Sequence, residues 1–181
     1  MKKCLMISLC LILILWTASA MASFNHYTFD VDALKAIEQT DTFAVRITRK
    51  TVTDKATGGD LHNQDVLSFE VTNNSNSGIS GIVIACVAYD ANNTAQSLRS
   101  EGLSAISMGN TARCLTEITF TPENASAGAV FTLNQSCCHS NFTGVRAIVK
   151  EYTTESGEVV ANPLFTAWKE EALGRPTHIL D

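Results

Sequence analysis

The sequence predicts an all-β, immunoglobulin-like antiparallel sandwich of about seven to eight short strands, with short helices near both ends of the processed chain. Apolar and polar residues alternate with a period of two through most of the chain. Clusters of Asn, Ser, Gly and Asp interrupt that alternation at roughly 8–12-residue intervals, which is typical of a sandwich. No helical crossover lies between consecutive predicted strands, so a parallel α/β sheet is disfavoured.

The chain begins with the pattern of an export signal. Lys2 and Lys3 precede an unbroken apolar run, Cys4–Trp16, and small residues at Ala18, Ala20 and Ala22 offer cleavage sites. A membrane-spanning helix needs about 20 apolar residues, so the shorter run predicts a cleaved leader. We therefore expect a secreted or cell-surface protein with no membrane span after cleavage.

Length and charge define the domain organisation and exclude some partners. The chain has 181 residues, and we predict a signal peptide at 1–22, an N-terminal appendage at 23–42, the β-sandwich at 43–162 and a helix with a tail at 163–181. Cleavage would remove two basic residues and no acidic one, leaving 11 basic and 18 acidic residues and a net charge of −7. An acidic surface argues against nucleic acid as a partner.

The N-terminal appendage is predicted to contain a short helix. Either Asp30 or Asp32 is placed to cap it. An i, i+3 apolar spacing indicates one buried side, and other positions are expected to face solvent. The apolar pair is Leu34 and Ile37, and the exposed pair is Lys35 and Glu38.

The first half of the sandwich is predicted to hold three clear strands and one weak edge strand. Alternation marks strands at 43–47 and 67–71. The stretch 82–89 is apolar at both odd- and even-numbered positions, so it predicts a central strand that is covered on both faces. The weak edge strand is expected within 94–99.

The second half repeats this pattern. We expect a hairpin of strands 112–120 and 129–133, a further strand at 145–152, and a short return strand at 158–161 after a turn at Ser156-Gly157. The last predicted element is an amphipathic helix within 164–173, whose apolar side would be formed by Leu164, Trp168 and Leu173.

Four cysteines follow the leader and are the candidate disulfide residues: Cys86, Cys114, Cys137 and Cys138. If Phe120 faces Val130 in the predicted hairpin, Cys114 falls beside both Cys137 and Cys138, and either could bond to it. Such a bridge closes about 24 residues and stabilises by about 3 kcal/mol in the chain-entropy model. Cys86 would take the other partner across the core.

The sequence predicts no catalytic residue, metal site or cofactor. Cys137, Cys138 and His139 are adjacent, and neighbouring ligands on an extended chain point to opposite faces, whereas zinc sites favour a spaced pair of cysteines. The run Asp90 to Asn93 could suggest calcium, but it lacks the alternating carboxylates of a calcium loop and fits a hairpin turn better. No nucleophile motif surrounds any Ser or Cys.

Two surface patterns remain open to a binding interpretation. Arg146, Lys150 and Tyr152 could form a basic and aromatic stripe on one strand face, although a solvated strand face explains them as well. Five N-x-S/T sequons are expected in turns, and they would carry sugar only in a host with that machinery. They begin at Asn73, Asn92, Asn124, Asn134 and Asn141.

Several loose motifs together resemble a family of uncharacterised secreted bacterial domains with an immunoglobulin-like β-sandwich. The motifs are Phe69-x-Val71-x-Asn73-Asn74-Ser75, then Val87-Ala88-Tyr89-Asp90, and finally Tyr152, Gly157, Asn162-Pro163 and Trp168. The resemblance covers residues 43–168 and departs at Val160, where an aromatic residue is expected, and at the Cys-Cys pair. It implies a sandwich exported by a bacterium and assigns no activity to any residue.

The sequence therefore favours a non-catalytic module that acts by interaction at or outside the cell envelope. Its partner would be a cell-wall polymer, another secreted protein or a second copy bound through an edge strand. The alternative is a secreted hydrolase acting on a cell-wall or extracellular glycan. A deep cleft holding two carboxylates about 5–9 Å apart would favour the hydrolase, and a shallow exposed surface would favour binding.

Overall fold

The computed structural model describes residues 27–40, 42–55, 64–96, 98, 115–138 and 142–176. Ten strands and two helices lie in these ranges. In chain order they are β1 (Tyr27–Thr28), α1 (Val31–Glu38), β2 (Val45–Lys55), β3 (Gln64–Asn73), β4 (Ile79–Tyr89), β5 (Ala95–Gln96), β6 (Thr116–Phe120), β7 (Val130–Cys138), β8 (Gly144–Thr154), β9 (Val159–Ala161), α2 (Phe165–Ala172) and β10 (Arg175–Pro176).

Eight of the strands form two antiparallel sheets, which confirms the predicted sandwich. One sheet has the order β2-β3-β7. In the other, β4 lies between β8 on one side and the two strands β5 and β6 on the other, and β9 lies outside β8. The chain passes between the sheets after β3, β6 and β7.

The core lies between the two sheets. The three-stranded sheet contributes Val45, Leu67, Phe69 and Val71, all at most 1% exposed, and the five-stranded sheet contributes residues such as Ile84. The rings of Phe69 and Phe120 meet edge to face across the sandwich, with centroids 6.2 Å apart. Burial of this apolar surface is the main stabilising contribution to the fold.

Strand β4 is buried on both faces, as predicted. Ile82, Ile84 and Cys86 belong to the core between the sheets, whereas the alternate residues Ala85 and Val87 belong to a second apolar cluster. That cluster lies between the five-stranded sheet and the two helices. The apolar character of residues 82–88 of β4 therefore follows from the helical layer on the outer side of its sheet.

The two helices pack together on the five-stranded sheet and fill the second apolar cluster. Leu34 of α1 and Trp168 of α2 are both fully buried there. Asp30 caps α1 by accepting a hydrogen bond of 2.9 Å from the backbone N–H of Ala33. The short ribbon of β1 and β10 joins the start of this layer to its end.

The predicted hairpin of 112–120 with 129–133 is wrong. β6 pairs with β4, and β7 pairs with β3 in the opposite sheet, where Ser136 faces Val66. The segment between β6 and β7 crosses from one sheet to the other and buries Ala125 at the end of the core. Its nine residues are more than a tight hairpin turn requires.

Several expectations fall outside the described residues, among them the leader at 1–22 and both Cys114 and His139. Within the described ranges, neither helix is long and apolar enough to cross a bilayer. The predicted domain boundaries stay a prediction.

Candidate functional site

The outer face of the β2-β3-β7 sheet is the candidate functional site, and we call it the polar face. Period-two alternation sends Leu67, Phe69 and Val71 inward, so the intervening side chains point away from the core. They surround a shallow, open concavity of about 710 Å³, a volume that includes the solvent above it. Its lining residues are Arg49, Thr51, Thr53, Ser68, Glu70 and Thr132.

A β-bulge places Arg49 on the polar face. Ile47 faces Val71 and Arg49 faces Glu70, so Thr48 is an extra residue in β2. Odd-numbered residues of β2 therefore point to the core before Thr48 and away from it afterwards. The Thr48 hydroxyl donates to Glu70 Oε1 at 2.9 Å, which holds the carboxylate beside the bulge. Opposite charges therefore occupy neighbouring positions on two strands near the middle of the face.

Around this pair, other residues of the polar face carry hydrogen-bonding groups without charge. The Ser68 hydroxyl donates to Asn134 Oδ1 at 2.6 Å, and Thr132 lies exposed on the neighbouring position of β7. Hydroxyl and carboxamide groups both donate and accept hydrogen bonds. The face is therefore suited to a polar ligand such as a polyhydroxylated chain or a hydrophilic protein surface.

Where α1, α2, β2 and β8 meet, Glu38 binds four donors. Its side chain is only 8% exposed, so the predicted exposure of Glu38 is wrong. Oε1 accepts from the Ala147 backbone N–H at 3.0 Å and from Trp168 Nε1 at 3.2 Å. Oε2 accepts from Lys50 Nζ and, at 3.4 Å, from Arg146 Nη1. A buried carboxylate with this many donors is a structural anchor.

Glu38 and Asn162 also satisfy the edge of β8. β9 covers only Glu151–Thr153 of that edge. Beyond it, Glu38 accepts from the N–H of Ala147, and Asn162 Nδ2 donates to the Val149 carbonyl at 2.7 Å. Side chains therefore replace the missing neighbouring strand, which prevents this edge from pairing with another chain.

The basic and aromatic stripe predicted for β8 does not form. Val83 faces Glu151 and Ile84 faces Val149, so Lys150 is an extra residue in β8. Odd-numbered residues of β8 therefore point to the core before Lys150, and even-numbered residues point to it afterwards. Tyr152 consequently lies in the core, with its ring centroid 5.5 Å from that of Phe43. Lys150 remains on the helical side, where it binds Glu117 at 2.7 Å.

The candidate disulfide residues are only partly described. Cys86 is fully buried on the core side of β4, and Cys137 and Cys138 end β7, where the backbone faces Asp65 and Gln64. Because β7 pairs with β3, the register argument that placed Cys114 beside them is wrong. Cys86 is the one cysteine whose side chain the structure describes, so both predicted bridges remain predictions.

The turn interpretation of Asp90 is confirmed. Asp90 Oδ1 accepts from the backbone N–H groups of Asn92 at 2.8 Å and Thr94 at 2.9 Å, and Asn93 has a positive φ of 59°. Desolvation raises the pKa of Asp90, but these hydrogen bonds and one from Gln96 outweigh it and hold the pKa below 3.8. Within the described ranges, no three His, Cys, Asp or Glu residues form a metal-binding group.

The sequons differ in accessibility, and two of them do not lie in turns. Asn73 ends β3 and is fully buried, whereas Asn134 lies exposed within β7. The two N–H groups of the Asn73 amide are shared among three carbonyl oxygens at 2.9–3.0 Å from Nδ2, those of Ser77, Ala125 and Ser126. Asn73 therefore joins the loop after β3 to the loop before β7 and has no surface for a modifying enzyme.

The residues that carried the family resemblance are structural in this fold. They supply core side chains, hydrogen-bond anchors and one turn. The core side chains are Phe69, Val71, Tyr152 and Trp168, the anchors are Asn73 and Asn162, and the turn is Gly157, whose φ is +87°. The resemblance is thus one of architecture, and the polar face lies outside its motifs except at Glu70 and Thr72, the intervening positions of the first motif.

Comparison with solved structures supports the same conclusion. An X-ray structure of a hypothetical protein from Peptoclostridium difficile 630 has a TM-score of 0.53 and 13% sequence identity with this chain. The match covers 77% of this chain and 96% of the other, and at this identity it shows the fold alone. No curated protein matches at a significant level.

The sequence did not predict the polar face as one surface. The alternation that buries Leu67 and Phe69 nevertheless determines which side chains lie on it. The sequence predicted alternating strands at 43–47 and 67–71 and a doubly covered strand at 82–89, but it did not indicate which strands share the open face. A family model matches residues 66–175, from the first residues of β3 to β10, which is more than half of the chain. The chain therefore belongs to the family of unknown function DUF5780.

Proposed function

We propose that this chain is an exported, non-catalytic module that binds a partner at or outside the cell envelope through its polar face. The observation that supports the proposal is the contrast between the two outer sheet faces. Helices cover the five-stranded sheet with buried apolar side chains, whereas the three-stranded sheet presents Thr51, Ser68, Thr132 and their neighbours around an open concavity.

The chemistry of the polar face favours a cell-wall polymer over an apolar protein partner. Hydroxyl and carboxamide groups hydrogen-bond to sugars, and Arg49 beside Glu70 offers both a cation and an anion to a polymer that carries amino and carboxyl groups. A large exposed apolar patch, the usual mark of a protein interface, is not what these residues form.

Binding is tested by co-sedimentation with purified insoluble cell wall. The test variant replaces Thr51, Ser68 and Thr132 by Ala, which removes three hydroxyls and leaves the core unchanged. The control variant replaces Lys35, Thr166 and Glu170 by Ala, all of them exposed on the helices. We expect the wild type and the control to sediment with the wall and the test variant to remain in solution. Equal sedimentation of all three would reject the polar face as the site.

Export and disulfide formation belong to the same proposal. The full chain is expressed in a host with a Sec pathway, and the product is collected outside the cytoplasm. Mass spectrometry is expected to find a chain that begins near Ser23, with four cysteines in two disulfides and no reactive thiol. Retention of residues 1–22 in a cytosolic product would contradict export, and thiols that react in the folded exported chain would contradict the bridges.

No observation specifically favours the hydrolase alternative. Four carboxylates line the described cavities, and three are engaged in the fold: Asp30 caps α1, Glu38 binds four donors, and Glu70 accepts from Thr48. The fourth, Asp32, is exposed in the first turn of α1. A catalytic pair requires one carboxyl that can hold a proton beside the substrate and another that stays ionised. Release of soluble fragments from the wall in the co-sedimentation assay would support the hydrolase alternative.

A further inference from the structure

The edges of the two sheets differ in how they are protected against pairing with another chain. β2 contains a bulge and four basic residues, and β5 and β9 are only two and three residues long. The uncovered part of β8 is satisfied by Glu38 and Asn162. Each is a recognised device against edge-to-edge association.

The Gln135 side chain donates from Nε2 to the outward Ser136 carbonyl at 2.9 Å, but in its described residues β7 has no other of these devices. It is nine residues long, its sequence Val-Phe-Thr-Leu-Asn-Gln-Ser-Cys-Cys contains no charge and no proline, and its register with β3 runs without a bulge. Val130 at its start is 61% exposed. In the described part of the chain, β3 is the one strand that pairs with it.

The register determines which backbone groups of β7 point outward. The N–H of Asn73 donates to the carbonyl of Ala129 at 2.9 Å, so the hydrogen-bonded positions of β7 toward β3 are the odd-numbered ones. The even-numbered residues Val130, Thr132, Asn134 and Ser136 therefore direct their N–H and C=O groups away from β3. These groups form a row of donors and acceptors along the edge, in which the Ser136 carbonyl already accepts one hydrogen bond from the Gln135 side chain.

We propose that two copies of this chain pair antiparallel through β7 and join their three-stranded sheets into one six-stranded sheet. The inference rests on the proposed interaction function and names a second copy as the partner. Pairing of all nine residues places the two-fold axis at Asn134 and brings Thr132 opposite Ser136 of the second copy. The alternation of an antiparallel ladder then gives about ten hydrogen bonds.

A second copy fits this edge because of charge and symmetry. The whole chain has a net charge of −5, so most encounters between copies are repulsive, whereas two neutral β7 strands approach without that penalty. A two-fold interface needs a surface that complements itself, and an antiparallel strand edge meets that condition through its backbone alone. The polar faces would then form one continuous surface, doubled in width.

Sedimentation equilibrium of the full chain, purified as its host processes it, tests the proposal. We expect the mass to rise to twice the monomer value with concentration. Thr132→Pro removes an outward N–H and leaves the β3 ladder intact, so it should abolish the increase. Thr132→Val, which keeps the N–H and loses the hydroxyl, should still form the dimer. A monomeric wild type at all concentrations, or a Thr132→Pro dimer, would overturn the proposal.

Hydrogen exchange gives a second readout that does not depend on any variant. The amides of Thr132, Asn134 and Ser136 should exchange slowly in concentrated solution and rapidly in dilute solution. Slow exchange of these amides in the monomer would overturn the proposal, because the edge would then be covered by the chain itself. If the dimer is absent and the wild type still sediments with cell wall, the proposed function stands without it.

Discussion

Trp168 donates a hydrogen bond of 3.2 Å from its indole Nε1 to Oε1 of Glu38, a residue 130 positions earlier in the chain. The contact joins α2 to the C-terminal end of α1. A glutamate at a helix C-terminus is disfavoured by the helix dipole, so its place there depends on the donors that surround it. Lys50 and Arg146 supply the positive charge that makes the position favourable.

Replacement of Glu38 by Ala is expected to destabilise the protein by about 3–5 kcal/mol, because it leaves a buried cluster of donors without an acceptor. Urea unfolding should show a lower midpoint with an unchanged slope. Trp168→Phe keeps most of the aromatic burial and loses one hydrogen bond, so it should cost about 1 kcal/mol.

Glu170→Ala is the matched control for Glu38→Ala. Glu170 is also a helical glutamate, but it is exposed on α2. Its removal should change the free energy of unfolding by no more than about 0.5 kcal/mol. Equal effects of the two substitutions would mean that the Glu38 cluster contributes nothing beyond a surface charge.

These contacts explain which parts of the structure the sequence could predict. The burial of β4 was predictable, because a strand that is apolar at both odd- and even-numbered positions is buried on both faces. The burial of Glu38 could not be predicted, because its partners lie far away in sequence, at residues 50, 146, 147 and 168. Helical periodicity gives information only about residues within a few positions of each other.

The bulges and one strand pairing account for most of the remaining errors. One extra residue at Lys150 moves Tyr152 from the helical side to the core, and the alternation pattern gives no sign of it. The separation of β6 and β7 into opposite sheets depends on long-range packing of the crossing segment, including Ala125, and not on the turn residues alone. The polar face follows from alternation, but its exposure depends on where the helices pack.

Asn73→Ala is expected to cost about 2–4 kcal/mol. The substitution removes the hydrogen bonds of a fully buried side chain to the Ala125 and Ser126 carbonyls and from Ser75. The two carbonyls keep one backbone donor each, the N–H groups of Ile79 and Ala129, so the cost is that of the lost bonds. Asn74→Ala is the control, because Asn74 is the exposed neighbour in the same sequon. Thermal unfolding should lower the midpoint for the first variant and leave it unchanged for the second.

Expression in a glycosylating host should separate the sequons by their burial. The folded secreted product is expected to carry no glycan at Asn73, whose side chain is fully buried, and to accept glycans at the exposed Asn92 and Asn124. Peptide mapping before and after glycosidase treatment measures the occupancy. A glycan on Asn73 in a chain with native stability would contradict the buried position.

The Asp90 turn should make stability depend on pH in the acid range. The folded-state pKa lies below the unfolded value of 3.8, so the hydrogen-bonded carboxylate stabilises the fold above that value, and the contribution is lost as the pH falls through the folded pKa. Asp90→Asn keeps an oxygen acceptor and cannot titrate. The difference in unfolding free energy between wild type and Asp90→Asn should therefore shrink on acidification below about pH 4, and a difference that grows there would contradict the sign.

Gly174 and Gly157 provide a matched test of backbone conformation against packing. Both have positive φ, +67° and +87°, so Ala should cost about 1 kcal/mol at each. An added Cβ at Gly157 meets nothing within 4 Å, whereas at Gly174 it lies 3.0 Å from the Thr28 carbonyl oxygen and 3.2 Å from the Phe29 ring. Gly174→Ala should therefore lower the thermal midpoint more than Gly157→Ala, because it also pushes β1 away from the end of α2. Equal midpoints would show that β1 does not pack against Gly174 in solution.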